Sequence, residues 1–420
     1  MSVLSHSQTI SVITGNTTIS HPQNKPIHIK LSKNFVITSE TQFFIIGSNN
    51  ITIEGHKNHD IIVAYAYIAG LEYPGLVRNG TTTTRAYDNI TIKHININTS
   101  PITTVVLANN AGWIGQRYFG RNAKNVVIRE CTNNSIISNY GGGIVGSDAY
   151  CIVAECVNKG VCSGINSGGC VGADANSVRA WKCKNNFTGI ISGNEAGGIF
   201  GSSAVGCIAK NCHNEAEISG LSSGGIFGGS SGSILNQNMT SECKNTGTVS
   251  GSNTGGIFGY SHNTSSAYKC YNTGLLTNTV SGSNGIFGND AQQCTVEACY
   301  NTGNIIATAS GGGIFGTASS CTIRNCYNSG SLGTVGYGIT SDTGGNANLI
   351  DHCYVSSLAI TGLDPLHVST ITSDVVSNSS DVVEAIGVWK NKSADKYLQG
   401  TDGSIWIRKC YGEPYTLNYC

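Results

Sequence analysis

Seventeen cysteines fall within these 420 residues, and the stretch CTIRNCYNSG at 321–330 shows how most of them are set. Two cysteines stand five positions apart, an Asn follows two residues on, and a Gly two further. Three chemistries use cysteines at short spacing: metal clips, redox pairs and disulfide loops. A structural zinc site favours C-x₂₋₄-C paired with a second such half. Here several copies lack the first cysteine altogether, with Val178, Asn238 or Ser265 in its place. A redox C-x-x-C is absent. The sequence therefore calls for no metal and no cofactor. Reduced, buried thiols are the favoured reading, since free Cys behaves as a small core hydrophobe. Disulfides between neighbouring repeats are the alternative.

Ionisable side chains offer a second chemistry. The stretch 56–88, HKNHDIIVAYAYIAGLEYPGLVRNGTTTTRAYD, is less regular than the rest and holds His59, Asp60, Glu72 and Arg85. It reads as an insertion or long loop, and binding groups concentrate in loops carried by a rigid scaffold. Glycoside chemistry needs two carboxylates about 5 to 9.5 Å apart. No Asp-Asp pair occurs. Glu155 and Glu297 take related positions, but Lys210 and Arg324 replace them in sister repeats, as on a solvated face.

The elements that hold these residues follow from their phase. The second cysteine recurs as Cys131, Cys156, Cys183, Cys212, Cys243, Cys270, Cys299, Cys326 and Cys353, at steps of 25 to 31 residues. Two positions on stand Asn133, Asn158, Asn185, Asn214, Asn245, Asn272, Asn301 and Asn328; Cys353 lacks its Asn. A Gly-bounded apolar pair precedes each cysteine: GGIVG at 142–146, GGCVG at 168–172, then GGIFG or NGIFG up to 312–316. Within C294-T-V-E-A-C299 apolar and polar residues alternate, the period of a strand with one buried face. Such a unit cannot bury its own apolar face, so copies must stack.

The fold expected is all-β: a single-stranded right-handed parallel β-helix of about 13 coils over residues 1–360. Regular repeats span about 125–355, and a small cap or oligomerisation segment fills 361–420. Right-handedness is the rule for parallel crossovers. In the plainer copies NITIEG, NITIKHINI and NVVIREC, Ile takes the places that Cys holds later. The Asn column is expected to stack at a bend that tolerates left-handed backbone, with its amides exchanged between coils. The Ile of each GGIFG should point inward. Phe200, Phe227, Phe258, Phe287 and Phe315 should lie outward or at the corner as an aromatic row. The stretch SSDVVEAIGVWKNKSADKYL is the most helix-compatible part of the chain; Trp389 and Trp406 are candidate anchors, and Cys410 and Cys420 can pair.

The unit GGIFGTASSCTIRNCYNSGSL resembles the glycine-rich GLUG repeat over about residues 140–345, with Phe where that family usually has Val. That likeness implies a surface or adhesin-like protein without catalytic residues. The NITI segments resemble the wider pectin-lyase-like β-helix group, which implies outer-face sites for polysaccharides. The Asn/Ile-rich composition and abundant Cys resemble surface or virion proteins of large DNA viruses or their satellites.

With 24 basic and 24 acidic residues, nothing drives the surface toward nucleic acid. No apolar run is long enough for membrane insertion. The N-terminus, MSVLSHSQTISVITGN, lacks the features of a standard signal peptide. The expected function is a non-catalytic structural or surface-displayed β-helix, a virion or fibre-like component that forms a homo-oligomer (a trimer is favoured) and contacts glycans or surface proteins. The alternatives are a polysaccharide lyase or glycoside hydrolase acting near 56–88, and a cytoplasmic location.

Overall fold

The structure is a computed structural model that describes residues 2–65, 71–100, 105–233, 236–277, 282–306, 311–328, 330, 339–340, 349–351 and 353–355. Beyond these it describes four short strands between 390 and 417. No helix occurs among the described residues. The chain forms a parallel β-helix. Its long sheet has 13 strands, from Gln8–Ile10 through Ile27–Leu31, Ile51–Glu54, Ile90–Lys93 and Val126–Arg129 to Leu349–Asp351. A side sheet of 12 strands runs from Val36–Ile37 to Tyr354–Val355. Every neighbouring pair in both is parallel and in register, as in Ile90↔Ile51 and Ile90↔Val126.

The third wall begins as a four-stranded sheet, Ser2–Leu4, Thr17–Ile19, Phe44–Ile46 and Val77–Arg78. It continues as single bridges from Val77↔Gly115 through Val171↔Phe200 to Phe315↔Thr340, so the Gly-bounded segments extend this wall. A fourth bridge column joins Ile137, Cys162, Ile191, Ile218, Val249, Leu276 and Ile305. Inward positions of the long sheet are filled by Ile, Val and Ala, among them Ile53, Ile92, Ile128, Val153 and Ala180.

Three local expectations are corrected. First, parts of the stretch 56–88 are built into the walls, Asp60–Val63 in the side sheet and Val77–Arg78 in the third wall. The coil that holds them runs from Ile51 to Ile90 and so carries more residues than the regular repeats. Alternation in DIIV, with Ile61 and Val63 buried, suits a wall strand and not a free loop. Second, the five Phe side chains are fully buried. In the GGIFG segment both Ile199 and Phe200 donate their N–H to the Ile226 carbonyl, at 3.2 and 2.8 Å. The two residues between the bridged Gly197 and Phe200 form a bend, repeated in each Gly-bounded segment, and Ile199 and Phe200 are both buried there. Third, the left-handed backbone lies elsewhere than expected. It falls on the residue before each second cysteine from Cys131 to Cys326, including Glu130, Glu155, Lys182, Asn211 and Lys269, with φ of 50–56°. The ladder Asn residues end short strands instead, and the GGIFG glycines lie outside that φ region. Their lack of a Cβ serves close approach: on Gly197 it would fall on the Phe200 carbonyl oxygen.

At the C-terminus, Lys390–Asn391, Tyr397–Gln399, Ile405–Arg408 and Tyr415–Leu417 form an antiparallel sheet. Residues 390–391 and 397–399, expected in a helix, are thus strands; Leu398 and Trp406 pair across them. Trp389, Cys410 and Cys420 lie outside the described residues.

Candidate functional site

Inside the coil the repeat residues form two continuous columns. Asn133 donates its Nδ2 to Asn158 Oδ1 at 2.8 Å, and the pattern repeats through Asn185, Asn214, Asn245, Asn272 and Asn301 to Asn328 at 2.6–2.9 Å. The other amide hydrogen goes to a backbone carbonyl two residues on, as from Asn245 to Gly247 at 2.8 Å, or four on at Asn185, to Gly189 at 2.9 Å. The side chain therefore replaces a backbone turn bond and carries a dipole to the next coil. The ladder ends where Val355 stands in register with Asn328, and the Asn328 Nδ2 is buried without a partner.

Beside it runs the thiol column. All fifteen described cysteines are buried, and none of them is in a disulfide. Each column thiol points at the carbonyl two residues back, across the left-handed corner: Cys156 to Ala154 at 3.3 Å, Cys326 to Arg324 at 3.1 Å. This explains why Cys can supplant Ile: it fills the same slot and also serves the corner carbonyl. Burial pushes the Cys162 and Cys207 thiols, outside this column, up to about 12, and raises Cys156, Cys243 and Cys326 within it. A thiol so protonated is neither nucleophile nor metal ligand. At Cys183 and Cys270 burial acts the same way, but hydrogen bonds from neighbouring thiols outweigh it and lower them.

The four residues singled out around 56–88 are not brought together. His59 is exposed, with its ring 4.5 Å from that of His56. Asp60 is exposed and accepts from Asn98 Nδ2 at 3.4 Å. Glu72 is exposed beside the buried Tyr73. Arg85 pairs with Asp88 at 2.7 Å and donates to the Asn122 carbonyl at 2.8 Å. Glu297, Lys210 and Arg324 do share one outward register column, but Glu155 stands one residue further on, at the left-handed corner.

Two outer clusters were not picked out from the sequence. In one, His94 lies between two carboxylates, with Nδ1 3.1 Å from Glu54 and Nε2 2.8 Å from Glu130. His28 and Lys93 reach Glu54 at 2.7 and 3.2 Å, and Lys57 reaches Glu130 at 3.3 Å. Burial works to raise the Glu54 pKa, but hydrogen bonds from Lys93, His28 and His94 outweigh it and hold the group at about 2. Glu130 is likewise lowered, first by His94 and against burial. The signal was present in phase: Glu54, Lys93 and Arg129 share one register position across NITIEG, NITIKH and NVVIRE. These charges neutralise one another.

The other cluster pairs Asp148 and Asp174 at equivalent corners of consecutive coils, where Asp148 N–H donates to the Ala173 carbonyl and Asp174 N–H to Ser202. Arg117 holds Asp148 at 2.8 Å. Burial, then the charge of Asp148, raises the Asp174 pKa, with Arg117 opposing. Asp174 faces solvent. Among the described residues no group of three or more His, Cys, Asp or Glu is disposed to hold a metal ion. No helix among them is long and apolar enough to cross a membrane.

No family model and no curated protein matches this chain. Among solved structures it is similar to a candidate immunoglobulin A1 protease from Bacteroides ovatus, at 13% identity over 91% of this chain and 92% of that one. The TM-score is 0.21, too low to carry an argument about function. The residues have to speak for themselves.

Proposed function

We propose that this chain is a non-catalytic structural β-helix, displayed on a virion or cell surface, that assembles with copies of itself and contacts glycans or partner proteins. One observation carries this reading. The residues repeated in phase, Asn and Cys, are spent on the interior, while the outer register columns repeat no carboxylate pair. A repeat selected for catalysis would keep its acids or its nucleophile on an accessible face. Where carboxylates do gather on the outer face, around Glu54 and Glu130, they are paired with Lys and His side chains.

The second reading, a polysaccharide lyase or glycoside hydrolase, draws on the Asp148/Asp174 pair rather than on 56–88. A raised carboxyl beside one that pairs with Arg117 is an arrangement acid–base chemistry uses. Against it, Asp174 faces solvent, where nothing excludes water or positions a sugar. Incubating the chain with neutral and acidic polysaccharides and measuring new chain ends separates the two. The structural reading expects no product above blank. Product formation abolished by Asp174→Asn would overturn it.

A further inference from the structure

The outer face of the long sheet changes character between residues 179 and 269. Its outward positions there are Arg179 and Trp181, Ile208 and Lys210, Met239 and Ser241, Ser266 and Tyr268, on four consecutive strands. Trp181 and Tyr268 are each 40% exposed, far above what a core aromatic would show, and Met239 between them is 48% exposed. A cation accompanies each ring: Lys182 Nζ lies 4.3 Å from the Trp181 ring centroid, and Lys269 Nζ 5.1 Å from that of Tyr268. Arg179, Lys182 and Lys210 form no ion pair among the described residues, in contrast to the closed network around Glu54. Glu242 is the one acid on these four strands and the corners that follow them, while Glu155 and Glu297 stand on the flanking coils. At the upper end Arg179 borders a recess of about 240 Å³, which Ile152 and Ser177 also line.

We infer that this strip binds an extended acidic polysaccharide, with Trp181 and Tyr268 as stacking platforms and Arg179, Lys182 and Lys210 as partners for its anionic groups. This deepens the structural reading and rests on it. The rings are three rungs apart, about 14 Å at the strand spacing, so a ligand touching both must be a chain and not a single sugar. Unpaired cations on a rigid sheet select negative charge without paying to break existing ion pairs. An acidic peptide is disfavoured, because every strand under the strip is already paired on both sides and offers no edge to a β-strand. Side chains alone must read the ligand. Pyranose faces suit flat, half-exposed rings, and carboxylate or sulfate groups share the chemistry that Arg and Lys recognise.

The test is calorimetric titration of the full chain with three probes: a sulfated heparin oligosaccharide, an oligogalacturonate and neutral dextran. The strip predicts that at least one acidic probe binds, that affinity falls with salt, and that dextran does not bind. It further predicts that Trp181→Ala and Lys210→Ala each weaken binding about tenfold, whereas Phe187→Ala, 69% exposed on another face, leaves it unchanged. Which acidic probe wins separates sulfate from carboxylate recognition. Equal binding of dextran, no binding of either acidic probe, or full affinity in Trp181→Ala would overturn the strip and leave the non-catalytic reading standing. An acidic probe bound and then shortened would support the strip and overturn the non-catalytic reading.

Discussion

Asn245 sits mid-ladder, accepting from Asn214 at 2.7 Å and donating to Asn272 at 2.6 Å. Replacing it by Ala strands an amide hydrogen above and an amide oxygen below, each buried. Leaving buried polar groups unmade costs about 1–3 kcal/mol apiece. Asn245→Ala should therefore lower stability in chemical denaturation by about 2–6 kcal/mol. Asn328 already has an unpaired Nδ2 and an apolar neighbour in Val355. The matching Asn328→Ala strands the Asn301 amide hydrogen and the Gly330 N–H but no acceptor beyond it, so it should cost less, and equal losses would show that the ladder adds nothing to the individual turn bonds. At this scale the sequence was informative about periodicity and poor about backbone. Cys-x-Asn phase is visible in the letters. The left-handed corner is not, because Glu, Lys, Asn and Ala all occupy it and none announces it.

The buried aromatic stack is the clearest case of an element that composition concealed. Phe200, Phe227, Phe258, Phe287 and Phe315 stack at centroid distances of 4.3–5.2 Å, nearly parallel, at the spacing that adjacent strands impose. Alternation placed them outward; the bend before each Phe turned them in. Phe258→Ala should cost about 3–5 kcal/mol, whereas a Phe at the surface would cost almost nothing; a melting series with Phe187→Ala as the exposed control distinguishes the two. Against this stack lies His262, 1% exposed, its ring 4.8 Å from Phe258 and its Nε2–H donated to the Gly228 carbonyl at 2.7 Å. Burial lowers its pKa to about 4, only partly opposed by that hydrogen bond. Between about 4 and the ordinary 6.5 the unfolded chain binds a proton that the folded chain refuses. Stability should then fall as pH drops through this window, by about 3 kcal/mol from this one group. His262→Gln should flatten that slope whatever it does to absolute stability. A slope unchanged in the variant would remove His262 as its cause.

At the scale of the molecule, 13 rungs at the strand spacing give a rod about 60 Å long. Repeat architecture was legible because stacking demands a period, and a period survives in sequence even when individual residues drift. Site geometry was not, because it depends on which coils bring outward residues into register. His94 meets Glu54 and Glu130 only through the alignment of three strands. The expected assembly belongs to this scale as well. Light scattering should give a mass three times that of the 43.8 kDa chain; a purely monomeric solution would remove the fibre or spike part of the proposal while leaving the coil intact. The central claim, that the cysteine-bearing repeat builds a core and performs no chemistry, is tested most directly by alkylating the folded chain under reducing conditions and mapping each cysteine by mass. None of the fifteen cysteines from Cys131 to Cys353 should gain label until denaturant unfolds the coil. Rapid labelling of Cys183 or Cys326 in native buffer would contradict it.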